Sequence, residues 1–387
     1  MTHHVMTYQR TSVAITAALV MMFNSANFAA AQNEVARQLY VSAATVPTNI
    51  PLVHTYADPP SNFNILAATD EELATYGFPL RPDKQSAPDH YRMWERAMQA
   101  AKIRWKGELK PLPRGRGMMR ARSFQEQAAQ PLTGPQHIST LNWSGVVLQN
   151  ALKHWSNTTS FNDIYAEITV PVSQLPFDSG SCTDSGSFHL YEGSFAGIDG
   201  YETLDNNPPG ALQGGVFSEI DCAFGATYYY SYISFIDGSG AFPVNPGDVF
   251  YTEVRGFGGF NPGSVFIEDL TTLAYSSYTL DNTSSVPQVG NQAEWIVKRF
   301  CCGEGGNQPD FPLVNTIAIF FEGGAFNGSG RAFYPGSTAL STAILTMRDD
   351  FNTQDIEVVS QGGSGYQGQH SLFFQTTGCA YAGGCVP

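Results

Sequence analysis

Among the side chains that could do chemistry, two acidic clusters are conspicuous. Asp178-Ser179-Gly180 and Asp184-Ser185-Gly186 repeat the triplet of two-aspartate hydrolases, but such a centre draws its carboxylates from distant parts of a chain. Only six residues apart in a Ser/Gly/Cys stretch, they read as turns. Glu219-Ile220-Asp221 puts two carboxylates on one face of a strand, because alternate residues share a side. Carboxylates so placed can act as acid and base in glycoside hydrolysis, which makes a sandwich glycosidase one reading of the chain. The third acid of an E-x-D-x-x-E pattern is missing, with Ala223-Phe224 in its place. There is no G-x-S-x-G elbow and no H-E-x-x-H pair. None of the six cysteines has a zinc-ligand spacing with histidine. No metal and no organic cofactor is implied.

Three longer segments are more specific. They are Phe195-Ala196-Gly197-Ile198-Asp199-Gly200, Leu212-Gln213-Gly214-Gly215-Val216 and Gln292-Ala293-Glu294-Trp295-Ile296-Val297. With Asn142-Trp143-Ser144-Gly145-Val146-Val147 and Ile168-Thr169-Val170-Pro171, they resemble in order and spacing the glutamic peptidases, or eqolisins. The family patterns are W-x-G-I-D-G, L-Q-x-G-V and A-E-W-I-V-E. Leu66-Ala67-Ala68-Thr69-Asp70 and Tyr76-Gly77-Phe78-Pro79 are similar to the leader of bacterial relatives.

The resemblance implies a secreted, acid-acting endopeptidase with Gln213 and Glu294 as catalytic dyad and polypeptides as substrates. In that chemistry a carboxylate activates a water as general base and an amide donates to the developing oxyanion. Phe195, Asp199 and Tyr232 are expected to shape the substrate site. The sequence departs from the family at three places. Phe195 stands for a Trp. When Tyr232 and Phe235 take the two Trp positions of W-x-E-W, Ser234 takes the Glu, and Lys298 replaces the Glu that closes A-E-W-I-V-E. These departures motivate one further reading, a catalytically silent binding protein on the same fold.

The elements that must position such residues are short strands. Ile164-Tyr165-Ala166-Glu167-Ile168-Thr169-Val170 alternates with period two, and similar runs recur at 141–149, 211–220, 227–236, 248–257, 264–280, 294–300, 315–322, 342–348, 355–360 and 371–376. Gly, Pro, Asn or Asp clusters separate them, which predicts an all-β, two-sheet antiparallel sandwich of concanavalin A-like or jelly-roll type over 136–387. Ahead of it lies a partly helical leader. A short helix is expected at Asp70–Thr75. A second, over 90–106, is expected because Met93, Trp94, Ala97, Met98, Ala101 and Trp105 recur at helical spacing. Little core is expected from residues 32–88.

Composition agrees with a loop-rich β protein: 42% hydrophobic, 14% charged, 38 Gly and 23 Pro in 387 residues. A net charge of −14 excludes a phosphate-binding surface, so no nucleic-acid partner is expected. The charge is segregated. Residues 136–387 hold 6 Lys/Arg against 24 Asp/Glu, whereas residues 32–135 hold 13 against 10. Eight of the basic residues (Lys102, Arg104, Lys106, Lys110, Arg114, Arg116, Arg120, Arg122) fall in one stretch. That asymmetry predicts a basic leader, 32–135, docked on the acidic body as an intramolecular inhibitor, with helix 90–106 across the cleft.

The first 31 residues carry His3, His4 and Arg10, then the uncharged apolar run Val13–Phe23 and Ala29-Ala30-Ala31. This is the pattern of a secretory signal peptide. No membrane span is expected, and a secreted monomer is. Six cysteines in an oxidising compartment imply disulfides, with Cys379–Cys385 and Cys182–Cys222 the simplest pairs and the adjacent Cys301 and Cys302 left over.

Overall fold

A computed structural model describes residues 34, 38–40, 43–111, 135–140, 142–150, 152, 154–174, 189–201, 211–235, 238–258, 263–280, 288–299, 315–316, 319–337, 340–348, 355–361 and 371–376. The expected signal segment, the triplets at 178–186, Arg114, Arg116, Arg120, Arg122 and five of the cysteines lie outside the described residues. Cys222 lies within them and is disulfide-bonded.

The leader contributes strands β1 (Thr45–Pro47) and β2 (Val53–Tyr56), helices α1 (Asp70–Thr75) and α2 (Pro88–Ala100), and strands β3 (Ile103–Arg104) and β4 (Lys110–Pro111). The body begins with β5 (Pro135–Thr140), β6 (Trp143–Gln149), β7 (Phe161–Thr169), β8 (Ser173–Gln174) and β9 (His189–Ile198). It continues with β10 (Leu212–Asp221), β11 (Ala226–Ser234), β12 (Gly238–Pro243), β13 (Val249–Gly256), β14 (Gly263–Asp269) and β15 (Ala274–Leu280). The last strands are β16 (Gln292–Arg299), β17 (Asn315–Thr316), β18 (Ile319–Asn327), β19 (Ala332–Phe333), β20 (Ser341–Arg348), β21 (Asp355–Gln361) and β22 (Ser371–Thr376).

The pairings define two layers. One runs β4-β12-β11-β10-β9-β16-β6-β20-β5, and the other β22-β18-β7-β13-β14-β15. β20 runs on to β21, and β21 to β22, which ties the layers together along one side. The expected antiparallel pairing holds within the body except at its edge strand β5, which pairs with β20 in parallel, as β3 of the leader does with β15. Between the layers, one alternate set of side chains fills the core. Leu212, Ala196 and Trp295 come from the first sheet and Ile164, Val254 and Ile267 from the second, all fully buried. The other alternate set points outward, so each sheet has an outer face of its own.

The leader packs on the outer face of the second sheet, and this corrects two expectations. First, residues 40–80 do build core. Tyr56, Leu73, Ala74 and Phe78 join Met93, Trp94, Ala97 and Met98 of α2 against Tyr165, Tyr251, Phe266 and Tyr275 of the body. Their spacing lacks a period because each meets a partner from another element. Second, α2 lies on this sheet and not across the face that carries Gln213 and Glu294. It also ends at Ala100: Ile103 donates its backbone N–H to the Leu273 carbonyl and Trp105 donates to Tyr275, so 101–106 extends along β15 instead of continuing the helix. The expected α1 is present, closed by a reciprocal capping box in which the Thr69 hydroxyl accepts from the Glu72 N–H and the Glu72 carboxylate accepts from the Thr69 N–H.

Candidate active site

Register explains how two residues 81 positions apart come to touch. β9 is central, with β10 on one side and β16 on the other. Gln213 faces Gly197 across the first pair, and Glu294 faces the same Gly197 across the second. At about 4.8 Å per strand spacing, their backbones stand two strands apart. The gap is closed over Gly197, where no side chain intervenes, and Gln213 Nε2 donates to Glu294 Oε1 at 2.6 Å. A Cβ at Gly197 would lie 2.6 Å from Gln213 Cγ and 2.9 Å from Glu294 Oε1. The aromatic pair beside the dyad repeats the device. Gly215 faces Phe195 on one side and Tyr232 on the other, and the two rings stack over it with centroids 4.9 Å apart.

Both dyad residues are fully buried. Burial pushes the Glu294 carboxyl up to about 8, and neither the hydrogen bond from Gln213 nor the charge of Lys298 offsets it; the nearby Asp199 raises it further. Glu294 Oε2 and Gln213 Oε1 make no hydrogen bond with the described residues. The carboxyl therefore has one oxygen held by an amide and a second unengaged among the described residues.

The other expected site residues divide. Phe195 and Tyr232 share the dyad's face, fully buried, and belong to its apolar cluster with Trp143, Phe217 and Ile296. Asp199, at positive φ, instead clamps the backbone leading into β16: its carboxylate accepts from the N–H groups of Val289, Gly290 and Asn291 at 2.8–2.9 Å. Its position fixes where Glu294 begins its strand, and burial, only partly opposed by those donors, raises its carboxyl to about 6. Ser234 sits directly opposite Gln213. The Lys298 ammonium lies 5.8 Å from the Trp143 ring and 6.0 Å from the Phe195 ring. Sequence reasoning missed Gly197 and Gly215 as functional positions. Alternation within the two quoted motifs places Gly197 on the face of Phe195 and Gly215 on the face of Gln213, and that was the available signal.

The glycosidase carboxylates are engaged elsewhere. Asp221 accepts from the Ala223 and Phe224 N–H groups in a turn, and Glu219 pairs with Lys110 of the leader at 3.1 Å. Of the basic stretch, Lys110 forms an ion pair with an acid of the body, and the charge of Lys102 acts on Glu268. Lys106 pairs with Asp58 inside the leader, and Arg104 donates to leader carbonyls of Tyr56, Ala57 and Tyr76. Further ion pairs between leader and body come from α2, as Arg96 with Glu167 and Arg92 with Glu322. Donors for a metal meet in one place among the described residues, His90, Asp163 and Glu253, on the opposite sheet from the dyad. There the Arg255 guanidinium already supplies the cation, at 2.7 Å from Asp163 and 3.1 Å from Glu253. No helix among the described residues is long and apolar enough to cross a membrane.

The β-sandwich thus holds a buried Gln–Glu pair at the middle of one sheet. Residues 141–354 match the model of the Peptidase A4 family, and the chain belongs to that family, the glutamic peptidases or eqolisins. Among solved structures it is similar to scytalido-glutamic peptidase with a peptide-based transition-state analogue, at 20% identity over 61% of this chain and 98% of that one, with a TM-score of 0.46. It is also similar to SCP-B in complex with a tripeptide (20% identity, 61% and 98% covered, TM-score 0.44). Aspergilloglutamic peptidase from Aspergillus niger gives 21% identity, 48% and 99% covered, and a TM-score of 0.38. No curated protein matches the chain.

Proposed function

We propose that the chain is a secreted, acid-acting endopeptidase of the glutamic type, made as a latent precursor, with Glu294 as general base and Gln213 as oxyanion donor. The observation that carries this reading is the 2.6 Å hydrogen bond between the two side chains, with Glu294 Oε2 left unengaged by the described residues. An ionised Glu294 takes a proton from a water whose oxygen attacks the scissile carbonyl carbon. The Gln213 amide has two N–H donors. One holds Glu294 in place and the second stabilises the oxyanion. The C–N bond then breaks as Glu294 returns the proton to the leaving nitrogen.

The raised carboxyl of Glu294 fits latency. While the site is shut off from water the residue holds its proton and has no basic form to offer. Admitting water and substrate removes the main cause of the shift, so ionised Glu294 becomes available in the acid range. Export on residues 1–31 and inhibition by the part of the leader after residue 104 complete the reading, supported by Lys110 bringing that part onto the face of Gln213 and Glu294 at Glu219.

The test is turnover of a denatured protein at about pH 4 by the full-length chain after acid exposure. Glu294→Gln is expected to abolish turnover, and Gln213→Ala to lower it by on the order of 10²–10³, as loss of one oxyanion donor does. Wild-type turnover by either folded variant rules the dyad out. N-terminal sequencing of the exported precursor checks the signal segment, with a start at Gln32 expected.

A further inference from the structure

We propose that residues 40–104 of the leader are a permanent part of this peptidase, and that they stay docked on the outer face of the second sheet after the chain is cut ahead of the body. An inhibitory segment that has to leave should cover the dyad and bury little else. Residues 40–104 do the reverse. Their apolar side chains share one core with the second sheet, on the far side of the sandwich from Gln213 and Glu294.

Three observations carry this. The first is the aromatic surface. Phe78 packs on Tyr275 and Phe266 with centroids 5.2 and 6.2 Å apart, Tyr40 on Phe257 at 5.6 Å, and His90 stacks on Tyr165 at 4.0 Å, nearly parallel. A body without the leader would show these rings as one contiguous patch of the kind soluble monomers rarely expose.

The second is charge. Asp163, Glu253 and Arg255 form an ion-paired set under α2. His90 closes it, with Nε2 at 3.2 Å from Glu253, and the Tyr251 hydroxyl donates to the same carboxylate at 2.7 Å. Tyr40 of the leader covers the guanidinium, its ring 5.6 Å away. Removing the leader breaks a buried network by withdrawing one side of it.

The third is the backbone. β2 and β3 occupy the free edge of β15, which would otherwise present unpaired N–H and C=O groups. The leader also has an interior of its own, with the Trp94 indole donating to the Pro79 carbonyl and Leu73 and Ala74 fully buried. It behaves as a subunit joined by a connector, not as a strap.

The retention concerns association and is read without turnover, so it stands or falls separately from the dyad. A thrombin recognition sequence is inserted after residue 122 of the full-length chain, the protein is cut, and size-exclusion chromatography is run at about pH 7 and about pH 4. Co-elution of both fragments at both pH values is expected. Separation at either pH overturns the proposal, whatever the body does afterwards. As a second measurement on the uncut chain, Ala97→Asp places a charge in the middle of the docking face. A large fall in the body's thermal midpoint is expected, with exposure of the leader to protease. Release of the leader with the body's midpoint unchanged would show a dispensable attachment and would equally overturn it.

Discussion

Glu294 on one outer face of the sandwich and Glu253 on the other are both buried, yet their carboxyls move in opposite directions. Burial dominates at Glu294, whose nearest partner is a neutral amide, and the group rises to about 8. At Glu253 burial also pushes upward, but the hydrogen bond and charge of His90, with Arg255 and the Tyr251 hydroxyl, outweigh it and leave the group below its ordinary value. The cost of desolvation is common to both, and the partners decide the sign. A carboxylate that serves only structure is surrounded by cations and donors. Glu294 is left undercompensated, its second oxygen idle among the described residues, which is the environment proton transfer calls for.

The contrast can be broken from either side. Arg255→Met removes the cation from the compensated face and leaves Asp163 and Glu253 buried together. A loss of roughly 3–5 kcal/mol is expected at neutral pH, seen as a fall in thermal midpoint of about 10 °C. The loss should shrink toward pH 4, where the carboxyls can take up protons.

On the dyad's face the pH dependence runs the other way. Glu294 binds its proton more tightly folded than unfolded, so its contribution is fully present below about pH 4.5 and is lost as pH rises through about 8. Glu294→Gln should therefore flatten the decline in stability across that window, by about 3 kcal/mol at pH 7. A precursor whose midpoint keeps the wild-type slope in this variant would show that Glu294 is not held protonated.

Gly197→Ala tests geometry without touching charge. The added methyl has to displace Gln213 or Glu294, and a turnover about 10²-fold below wild type is expected from a misplacement of about 1 Å, with the fold retained. The smallest effect is expected at Lys110→Gln. The Lys110 side chain is about half exposed in its pair with Glu219, so the change should cost under about 1 kcal/mol and vanish in high salt.

Much of this arrangement was legible from residue order. Alternation in Ile164–Val170 gave β7, and the run at 264–280 contained both β14 and β15, read as one stretch because Leu270–Leu273 turns with few breakers. β9, the strand on which the dyad depends, gave no alternating signal, since Glu192, Gly193, Ser194 and Gly197 interrupt its apolar positions. The residues that made it hard to see are those that let neighbouring side chains reach across it. Gln213 and Glu294 were legible only through motif resemblance, because no periodicity marks a polar residue on a strand. The leader's docking face was misread for a different reason. Net charge predicts that a basic segment meets an acidic body, but it carries no direction, and the second sheet's Glu167, Glu253 and Glu322 are as acidic a target as the dyad's surroundings.

The position of β16 between β6 and β9 sets a timetable for biosynthesis. β6 and β9 are complete by residue 198, but the slot between them stays open until residues 292–299 arrive, and the other side of β6 waits for β20 at 341–348. By then the chain has also made β13, β14 and β15, so the second layer's central strands exist before the first layer can close. A nascent chain shorter than about 300 residues thus lacks Glu294's strand and carries unsatisfied edges on β6 and β9 in the middle of its own sheet. Placing this one eight-residue strand brings Glu294 to Gln213 and closes the slot in the same step, and β20 then covers the remaining edge of β6.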